Sequence, residues 1–527
     1  MKDFTLTGWL HEPRADAGLH FLEDDDTWRH VTYEDLAGRV AALAEVFREQ
    51  GLAGQRLGLV GETSEDFAAQ VFATLATGGT CVPIPFYQSG QDRAAHDRLV
   101  AAALETARPV RVVTTDGSER FADWPATSVP AYADLSPSAH AVISESELPA
   151  FVQFTSGSTG GPKGVRHGRR RLEGGLGAFR DWLELTPSDR WAGWAPLWMI
   201  GGLVWPVATQ CDFVLMTSLQ FSQRPDRWLR CMGEHGCTIT ASASFGYHHV
   251  ATTVPRETLA GCRFDDWRMA MIFGEPVRVA DLDEFVDAFG ALGFRRRAFS
   301  QVYGMTEVTT MIAATPIDEE PVPMAEIARA TPLGAGAVMA SAMHSTDPGS
   351  RMVGVGRPLH SEAVEVRLPD GSRAPDGVLG EVWLSGAILA EGYEGGDDFG
   401  SWLATGDVGC LRNGELFLFG RLVDSFNIRG QIVTAPSAER RVQDALPEAG
   451  SLVVLPSRAS GAGITVVLES GQPWPPEVTD RARQTVSELF DHTEVDLLIV
   501  PSGAIPRTDN GKPRRREAWA RYVLGRT

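Results

Sequence analysis

Short runs of β-branched and other apolar residues alternate with segments of helical periodicity through most of the chain. Six runs predict buried strands: RLGLVG, VRVVTT, FVQFTS, DFVLMTS, CTITAS and RMAMIF. Between them, segments such as Val279–Leu292 place apolar residues at helical spacing. This alternation is typical of parallel sheets covered by helices. The pattern therefore predicts an α/β fold.

The pattern changes after about residue 350. The runs EAVEVRL, GEVWLSG and GELFLFG alternate with a period of two between Gly/Asp turns, which predicts a small antiparallel or barrel-like unit. A further stretch, with SLVVLP, GITVVLES and DLLIV, resembles a βαβ arrangement, and a basic tail closes the chain. Residues 316–354 are rich in Pro, Ala, Gly and Ser and predict a long irregular loop.

Composition narrows the class of protein. A length of 527 residues suggests three or four compact units at roughly 150 residues per domain. The net charge of -20 argues against nucleic acid or an anionic membrane as the main partner. The N-terminus lacks an apolar signal-peptide core, and the longest apolar run is too short to span a bilayer, so we expect a cytoplasmic protein. The six cysteines form no Cys-x-x-Cys pair and indicate neither a cysteine zinc site nor a disulfide framework.

The stretch FVQFTSGSTGGPKGVRHG runs from a predicted strand into hydroxyl side chains, glycines and one lysine. Hydroxyls, backbone N–H groups that glycine allows to converge, and an ammonium group suit a polyphosphate. The stretch is not a Walker loop, because Pro162 and Gly164 stand where that motif needs a glycine and a Ser or Thr. On composition alone, a flexible Gly/Ser-rich linker explains it equally well.

Three further motifs are ordinary when each is taken alone. QVYGMTE is explained by a strand end with a core tyrosine, ATGDVG by a turn, and IPRTDNGKPRRR by a solvated basic tail. Taken together, the order TSGSTGGPKG, YGMTE, TGD, GRLVD, NGK resembles the adenylate-forming superfamily of acyl- and aryl-CoA synthetases, adenylation domains and beetle luciferases. RPDRWL and the segments around YGMTE and GRLVD look most like its fatty acyl-AMP ligase branch.

The resemblance covers nearly the whole chain and implies its architecture and activity. A large N-terminal adenylation domain would span residues 1–420, with a β-rich subdomain at about 350–420. A small, mobile α+β C-terminal domain would span residues 421–527. With ATP and Mg²⁺, such an enzyme converts a small-molecule acid to an acyl adenylate and releases pyrophosphate. It then passes the acyl group to a carrier protein or a thiol.

By this resemblance, one set of residues would hold the nucleotide. Those that would wrap the β- and γ-phosphates are Thr155, Ser156, Gly157, Ser158, Thr159, Gly160 and Lys163. Tyr303 would stack on one face of adenine, and Gly274, Glu275 and Pro276 would pack against the other.

The resemblance assigns the ribose and the chemistry to a second set. Asp407 would accept hydrogen bonds from both ribose hydroxyls, a task that suits a carboxylate, and Arg421 would support the ribose. Thr306 would bond the α-phosphate, and Glu307 would hold Mg²⁺. Lys512 would bridge the substrate oxyanion and the α-phosphate, so that Mg²⁺ and Lys512 neutralise the charge that opposes attack of a carboxylate on ATP.

The expected acid pocket departs from the family pattern. It would be lined by Trp198, Met199 and Gly304, and the text APLWMIGG carries Trp198 and Met199 where a histidine is common. In the hinge region, Val423 stands for the usual Asp or Lys, and Asn427 for a common lysine. These changes touch the acid pocket and the transfer step but leave the nucleotide set intact.

Three alternative functions remain open. An acyl-CoA ligase would differ only in its acceptor. Activation of nitrite, to diazotise an aromatic amine, fits the replaced histidine and the bulky Trp194, Trp198 and Trp205. A nucleotide-binding protein without catalysis is disfavoured by the intact Glu307 and Lys512.

Arginine clusters at residues 169–171, 295–297 and 514–516 are usually solvated faces, and the alternative is that one of them docks an acidic carrier protein. His248 and His249 are adjacent and therefore point in different directions, so they do not predict a metal pair.

Overall fold

The structure of the chain is a computed structural model. It describes residues 4–61, 63–85, 87, 93–115, 121, 124–139, 142–155, 163–274, 277, 279–309, 311–323, 338–339, 353–368, 370–422, 425–428, 431–447, 449–457, 463–490, 494–507 and 513–524. Within these ranges, every helix is too short or too polar to cross a membrane.

The largest layer is a nine-stranded sheet. In sheet order its strands are Arg357–Pro358 (β16), Ala313–Ala314 (β14), Phe299–Tyr303 (β13), Met269–Phe273 (β12), Ile239–Ser242 (β11), Arg190–Gly193 (β9), Asp212–Leu215 (β10), Gly18–Leu22 (β1) and Trp28–Thr32 (β2). The pairs from β13 to β1 are parallel, whereas β2, β14 and β16 pair in the antiparallel sense.

A seven-stranded sheet forms the second layer. Its order is Gly392–Tyr393 (β19), Gly164–Gly168 (β8), Pro149–Phe154 (β7), Thr80–Pro85 (β4), Arg56–Gly61 (β3), Arg111–Thr114 (β5) and Ala126–Ser128 (β6). The five strands from β7 to β6 pair in parallel, while β7 with β8 and β8 with β19 are antiparallel.

Three smaller sheets follow along the chain. An antiparallel sheet contains Val364–Arg367 (β17), Gly380–Ser385 (β18), Trp402–Arg412 (β20) and Glu415–Arg421 (β21). The others comprise Val338–Met339 (β15), Gln431–Thr434 (β23) and Ser425–Ile428 (β22), and then Leu452–Pro456 (β24), Ile464–Ser470 (β25) and Val495–Pro501 (β26).

Helices cover the sheets and begin at sequence-encoded caps. They are Tyr33–Glu49 (α1), Glu65–Ala76 (α2), Arg93–Ala107 (α3), Arg169–Trp182 (α4), Ile200–Thr209 (α5), Ser218–Gln223 (α6), Pro225–Glu234 (α7), Ser244–Thr253 (α8), Val279–Phe289 (α9), Ala435–Ala445 (α10), Pro476–Leu489 (α11) and Arg515–Trp519 (α12). The side chains of Thr32 and Ser64 accept backbone N–H groups of α1 and α2, which satisfies donors that the first helical turn leaves unpaired.

These elements confirm the predicted α/β class. The six apolar runs form β3, β5, β7, β10, β11 and β12, and the predicted helix Val279–Leu292 forms α9 with a following 3₁₀ turn. The antiparallel β-rich unit is also confirmed. The segment ATGDVG lies inside the long strand β20 and not in a turn, with Gly406 at φ +73°. Most of the predicted irregular loop lies outside the described residues.

The C-terminal part has hydrophobic clusters of its own, formed by residues between 438 and 523. One packs β24, β25 and β26 against α10 and α11 through side chains such as Val442, Val466 and Val486. A separate core is what an independently moving unit needs. The boundary at residues 420 and 421, and the mobility of the smaller unit, stay predictions.

A buried ion pair ties together the amino ends of three parallel strands. Asp189, Thr238 and Arg268 directly precede β9, β11 and β12. The Asp189 carboxylate accepts hydrogen bonds from Arg268 Nε at 2.8 Å and Nη2 at 2.9 Å, and from Thr238 Oγ1 at 2.7 Å. Its side chain is 5% exposed. Burial raises the pKa of Asp189, but these hydrogen bonds outweigh burial and the pKa lies below its ordinary value.

We expect Asp189→Ala to lower the free energy of unfolding by about 3 kcal/mol, because it leaves the Arg268 guanidinium and the Thr238 hydroxyl without their acceptor. Urea unfolding at neutral pH, followed by tryptophan fluorescence, measures this. The stabilisation should fade in acid, since a carboxylate with a lowered folded-state pKa loses its contribution as the pH falls through that pKa. Asp16→Ala, which removes the partner of Arg14 from an exposed pair, is the control and should unfold like wild type. An equal response of both variants would contradict the prediction.

Candidate active site

The parallel strands β12 and β13 end side by side. Phe273 pairs with Val302, and the next residues are Gly274 and Tyr303. Gly274 has φ +89°, a left-handed conformation that favours glycine. In α/β sheets, ligands bind beyond the carboxyl ends of parallel strands. The structure therefore brings two of the residues expected around adenine to one edge of the sheet.

Tyr303, Asp407 and Arg421 form a cluster at this edge. The Tyr303 hydroxyl donates to Asp407 Oδ2 at 2.6 Å, and Arg421 Nε lies 3.0 Å from Asp407 Oδ1. Tyr303 and Asp407 are both buried. Burial, and then the Asp407 charge, raise the pKa of Tyr303 well above its ordinary value. Tyr303 is therefore a neutral hydrogen-bond donor at physiological pH.

The irregular strand β20 sets the direction of Asp407. Asp407 stands opposite Arg421 on β21, and the register shifts at the next pair, between Val408 and Gly409. The Asp407 N–H donates to Thr405 Oγ1 at 3.0 Å. A bulge of this kind turns a side chain away from the regular alternation of a strand. The TGD motif thus points its carboxylate at Tyr303 from a neighbouring sheet.

A second cluster contains Glu307, Tyr393 and Lys163. The Tyr393 hydroxyl donates to Glu307 Oε1 at 2.8 Å, and Lys163 Nζ lies 4.7 Å from the centroid of the Tyr393 ring. Burial raises the pKa of Tyr393, and the Glu307 charge raises it further, while the Arg421 charge opposes them. Arg421 therefore acts on both clusters, which adjoin.

Tyr393 is a site residue that the sequence reasoning missed. It lies in EGYEGG, on the two-residue strand β19, which pairs with β8 just beyond Lys163. An aromatic residue between glycines was the available signal, but it is weak without the pairing.

The glycine-rich stretch connects β7 to β8, which pair in the antiparallel sense. Thr155 N donates to the Lys163 carbonyl at 3.0 Å, and Lys163 N donates to Thr155 Oγ1 at 3.2 Å. These two bonds close the hairpin and hold both ends of the loop. The exposed Lys163 side chain projects toward Tyr393.

Thr306 and Glu307 occupy the turn that follows β13 and Gly304. Val308 N donates to the Met305 carbonyl at 3.1 Å, and Ala390 N donates to the Glu307 carbonyl at 3.0 Å. His167 on β8 is buried against the Thr306 backbone, and burial lowers its pKa to about 4 although the Thr306 carbonyl opposes this. His167 is thus a neutral packing partner of the turn.

Trp198, expected in the acid pocket, and Trp205, nearby in the chain, are both partly buried against the same hydrophobic core. The Trp198 side chain abuts Gly61 at the end of β3 so closely that a Cβ on Gly61 would lie 2.3 Å from Trp198 Cβ. Trp205 packs on Phe179 of α4, with ring centroids 3.7 Å apart, and belongs to the core. The role of Trp198 and Met199 in binding the acid stays a prediction.

An aromatic group at the carboxyl ends of β9 and β11 contains Trp194, which the sequence linked only to the nitrite alternative. Trp194 stacks on Phe221 with centroids 4.1 Å apart, and Phe245 stacks on His249 at 5.5 Å. A Cβ on Gly246, in the first turn of α8, would lie 2.9 Å from Trp194 Cζ2. Trp194 therefore fills the space beyond these strand ends.

Several predicted site residues lie outside the described part of the chain. They are Ser156, Gly157, Ser158, Thr159, Gly160, Glu275, Pro276 and Lys512, together with the hinge residue Val423. Their roles stay predictions.

Several side chains of the arginine clusters make hydrogen bonds or ion pairs with other parts of the chain. Arg169 donates to the Gly79 carbonyl, and Arg171 donates to the Leu389 and Ala390 carbonyls. Arg296 pairs with Asp283, whereas the side chain of Arg170 is 89% exposed, and docking of a carrier protein stays a prediction.

Three comparisons with known proteins agree with this geometry. The chain matches the family of AMP-binding enzymes over residues 12–394. A 4-hydroxyphenylalkanoate adenylyltransferase of Mycobacterium marinum is 26% identical over 589 residues, which cover 99% of this chain and 92% of that protein. The medium-chain-fatty-acid–[acyl-carrier-protein] ligase JamA of Moorena producens is 25% identical over 578 residues, 98% of this chain and 94% of that protein.

Among solved structures, one from studies of fatty acyl-adenylate ligases of E. coli and L. pneumophila superposes with a TM-score of 0.84 at 26% identity. It covers 99% of this chain, which in turn covers 98% of it. Because the AMP-binding match spans well over half of the residues, the chain belongs to the family of AMP-binding enzymes, in the fatty acyl-AMP ligase branch of the adenylate-forming superfamily.

Proposed function

We propose that this chain uses ATP to adenylate a short or aromatic carboxylic acid and then passes the acyl group to the thiol of a carrier protein. The observation that supports this most is the adjoining pair of clusters, Tyr303–Asp407–Arg421 and Glu307–Tyr393–Lys163. One offers an aromatic ring and a carboxylate acceptor, as a nucleoside needs. The other offers a carboxylate and an ammonium group, as a magnesium-bound polyphosphate needs.

In this proposal Asp407 accepts the two ribose hydroxyls, and Arg421 holds its carboxylate in place from the facing strand. Tyr303 and Gly274 enclose adenine between neighbouring strand ends. The hydroxyls and N–H groups of the loop between Thr155 and Lys163 surround the β- and γ-phosphates. The protein thus holds ATP along the carboxyl edge of the nine-stranded sheet.

Glu307 fits the role of a magnesium ligand. Its carboxylate is buried, the hydrogen bond from Tyr393 fixes its Oε1, and the exposed Lys163 lies over the ring of that tyrosine. Mg²⁺ prefers carboxylate and phosphate oxygens, and when bound it withdraws charge from the α-phosphate that the acid attacks. Thr306, which precedes Glu307 in the chain, bonds the α-phosphate in this proposal.

Lys512 completes the proposed chemistry. Lysine stands at three of the 48 basic positions, and two of these are Lys163 and Lys512. Almost all the other basic positions carry arginine. A lysine at position 512 fits a need for a compact ammonium group that contacts two oxyanions at once. The turn-forming residues Asp509, Asn510 and Gly511 would present it at a loop tip that enters and leaves the cleft.

The names of the relatives support an organic acid and a carrier-protein acceptor, but they differ in the length of the acid. JamA is named for transfer of a medium-chain acid to an acyl carrier protein, and the mycobacterial relative is named for 4-hydroxyphenylalkanoates. The aromatic group around Trp194 favours compact or aromatic acids, because large rings occupy the volume that a long acyl tail needs. Whether CoA is the acceptor and whether nitrite is a substrate are tested by the exchange assays with a panel of acids and acceptors.

The first prediction concerns Asp407. Asp407→Ala should weaken ATP binding roughly ten- to a hundredfold, because hydrogen bonds to a charged acceptor contribute about 1.5–3 kcal/mol. Calorimetric titration of ATP measures this, and Asp407→Asn preserves the side-chain volume if the alanine variant unfolds. The control is Asp370→Ala, which removes an exposed carboxylate from the same β-rich unit. An unchanged affinity in both Asp407 variants would refute the ribose assignment.

The second prediction concerns the acid. ATP–pyrophosphate exchange with a panel of acids should favour aryl and short-chain acids over acids of twelve or more carbons. Trp194→Ala should move the preference toward longer chains, because it empties the space beyond β9 and β11. The panel includes nitrite together with an aromatic amine. In a second assay, CoA or a carrier protein is added to the acyl adenylate to identify the acceptor. Efficient exchange with palmitate by the wild type would contradict the prediction.

The third prediction concerns Lys512. Lys512→Ala should lower the rate of adenylate formation by a factor of about 10² to 10³, because a transition-state contact to developing charge is lost. ATP binding, and transfer from a chemically made adenylate, should stay near wild type. Arg521→Ala removes an exposed charge from the same terminal segment and serves as the control. If adenylation persists and only transfer fails, Lys512 belongs to the other half-reaction.

A further inference from the structure

A cluster of metal-ligating side chains lies on the nine-stranded sheet, outside the site described above. It contains His20 on β1, His30 on β2 and Asp212 at the start of β10. One ligand atom from each of the three lies within 4.8 Å of the other two. Two imidazoles and one carboxylate are a donor set for first-row divalent metal ions.

The register of three neighbouring strands assembles this cluster. His20 stands directly opposite His30 in the antiparallel β1–β2 pair. His20 also stands opposite Val214 of β10, and Asp212 precedes Val214 by two residues, so all three side chains share one face of the sheet. The sheet itself therefore holds the ligands, and no flexible loop is needed.

Contacts within the cluster orient its members. His20 Nε2 lies 3.0 Å from Asp212 Oδ1, and the His20 and His30 rings stack nearly parallel with centroids 4.1 Å apart. Because the lone pairs of imidazole lie in the ring plane, one ring turns out of this stack when both histidines bind a single ion. Gly18 N donates to the same Asp212 oxygen at 2.9 Å, which fixes the carboxylate. The side chains of His20 and Asp212 are 19% and 13% exposed, so both are largely withdrawn from water.

A third imidazole lies next to the cluster. His235 follows the last turn of α7, and its ring centroid is 6.0 Å from that of His20. The other neighbour of this ring is Trp28, at 5.2 Å. Arg190 Nε lies 3.4 Å from Asp212 Oδ2, which leaves Oδ1 to face the histidines. Imidazole and carboxylate bind metals in the protonation states that they ordinarily have near neutral pH.

We propose that His20, His30 and Asp212 bind a first-row divalent ion of the Zn²⁺ class, with water or His235 in the remaining position. Such an ion would tie β2 to both β1 and β10. As the outermost strand, β2 pairs with β1 alone among the described strands, and the edge strand of a sheet is where extra fastening has most effect. The cluster lies at the amino end of β10, whereas Gly274 and Tyr303 lie at the carboxyl ends of β12 and β13. The ion is therefore structural and separate from adenylation.

The test uses the full chain, stripped with a chelator and titrated with Co²⁺ in the absence of nucleotide. Absorption of cobalt in an imidazole–carboxylate site reports the ligand set, and displacement by Zn²⁺ gives the affinity. The variants are His30→Ala, which changes a side chain at the outermost strand, and His20→Gln. The control is His248→Ala, since His248 pairs with Glu284 at 2.6 Å on an exposed surface but has no second imidazole in that pair. Glu307→Gln separates the cluster from the magnesium site.

We expect wild type, His248→Ala and Glu307→Gln to bind one equivalent with the same spectrum, and to gain thermal stability from Zn²⁺. His30→Ala and His20→Gln should bind at least tenfold more weakly and gain no stability. The proposal is overturned if the wild type binds no stoichiometric ion, or if His30→Ala keeps both the spectrum and the stabilisation. In either case the cluster is a histidine–aspartate pair with a stacked neighbour.

Discussion

Two hydrogen bonds from tyrosine to carboxylate hold three sheets together at one place. Tyr303, on the nine-stranded sheet, donates to Asp407 of the β-rich unit, and Tyr393, on the seven-stranded sheet, donates to Glu307. Tyr303, Asp407 and Glu307 are buried, and a buried carboxylate without a partner is costly. The sheets are thus fixed against one another by the same groups that face the proposed nucleotide. The same side chains therefore contribute to both the stability of the fold and the proposed binding of the nucleotide.

In the nine-stranded sheet, a stabilising ion pair lies at the amino ends of the strands and the candidate site lies at their carboxyl ends. The amino ends of β9, β11 and β12 are closed by the buried pair of Asp189 and Arg268. The carboxyl ends of β9 and β12 open onto Trp194 and Gly274, and Tyr303 ends the neighbouring strand β13. A parallel sheet allows this division, because every strand presents the same end to the same edge.

Local sequence was sufficient to predict those features of the structure that depend on residues close together in the chain. The buried strands are continuous apolar runs, and one motif contains Tyr303, which ends β13, and Thr306 and Glu307, which follow it. Asp407 was found through its motif, although the motif lies in a bulged strand and not in a turn. The family resemblance supplied roles that spacing alone could not.

Contacts between residues that strand pairing brings together could not be predicted from the sequence. Tyr393 meets Lys163 because β19 pairs with β8, and no local pattern announces that pairing. Trp194 was noted as bulky, but which tryptophan lies at the strand ends depends on how α6 and α8 pack. The histidine cluster joins β1, β2 and β10, so its ligands are separated by most of the N-terminal half of the chain.

The glycine-rich loop is carried by a β-hairpin, with strands on both sides of it. Phosphate loops that open a helix receive a fixed partial positive charge from the helix dipole. Under the proposed function, the loop between β7 and β8 would rely on Mg²⁺, Lys163 and Lys512, in place of a helix dipole, to neutralise the polyphosphate. Nucleotide affinity would then follow the free magnesium concentration and the ionic strength closely, and the leaving pyrophosphate would lose its hold once those cations withdraw.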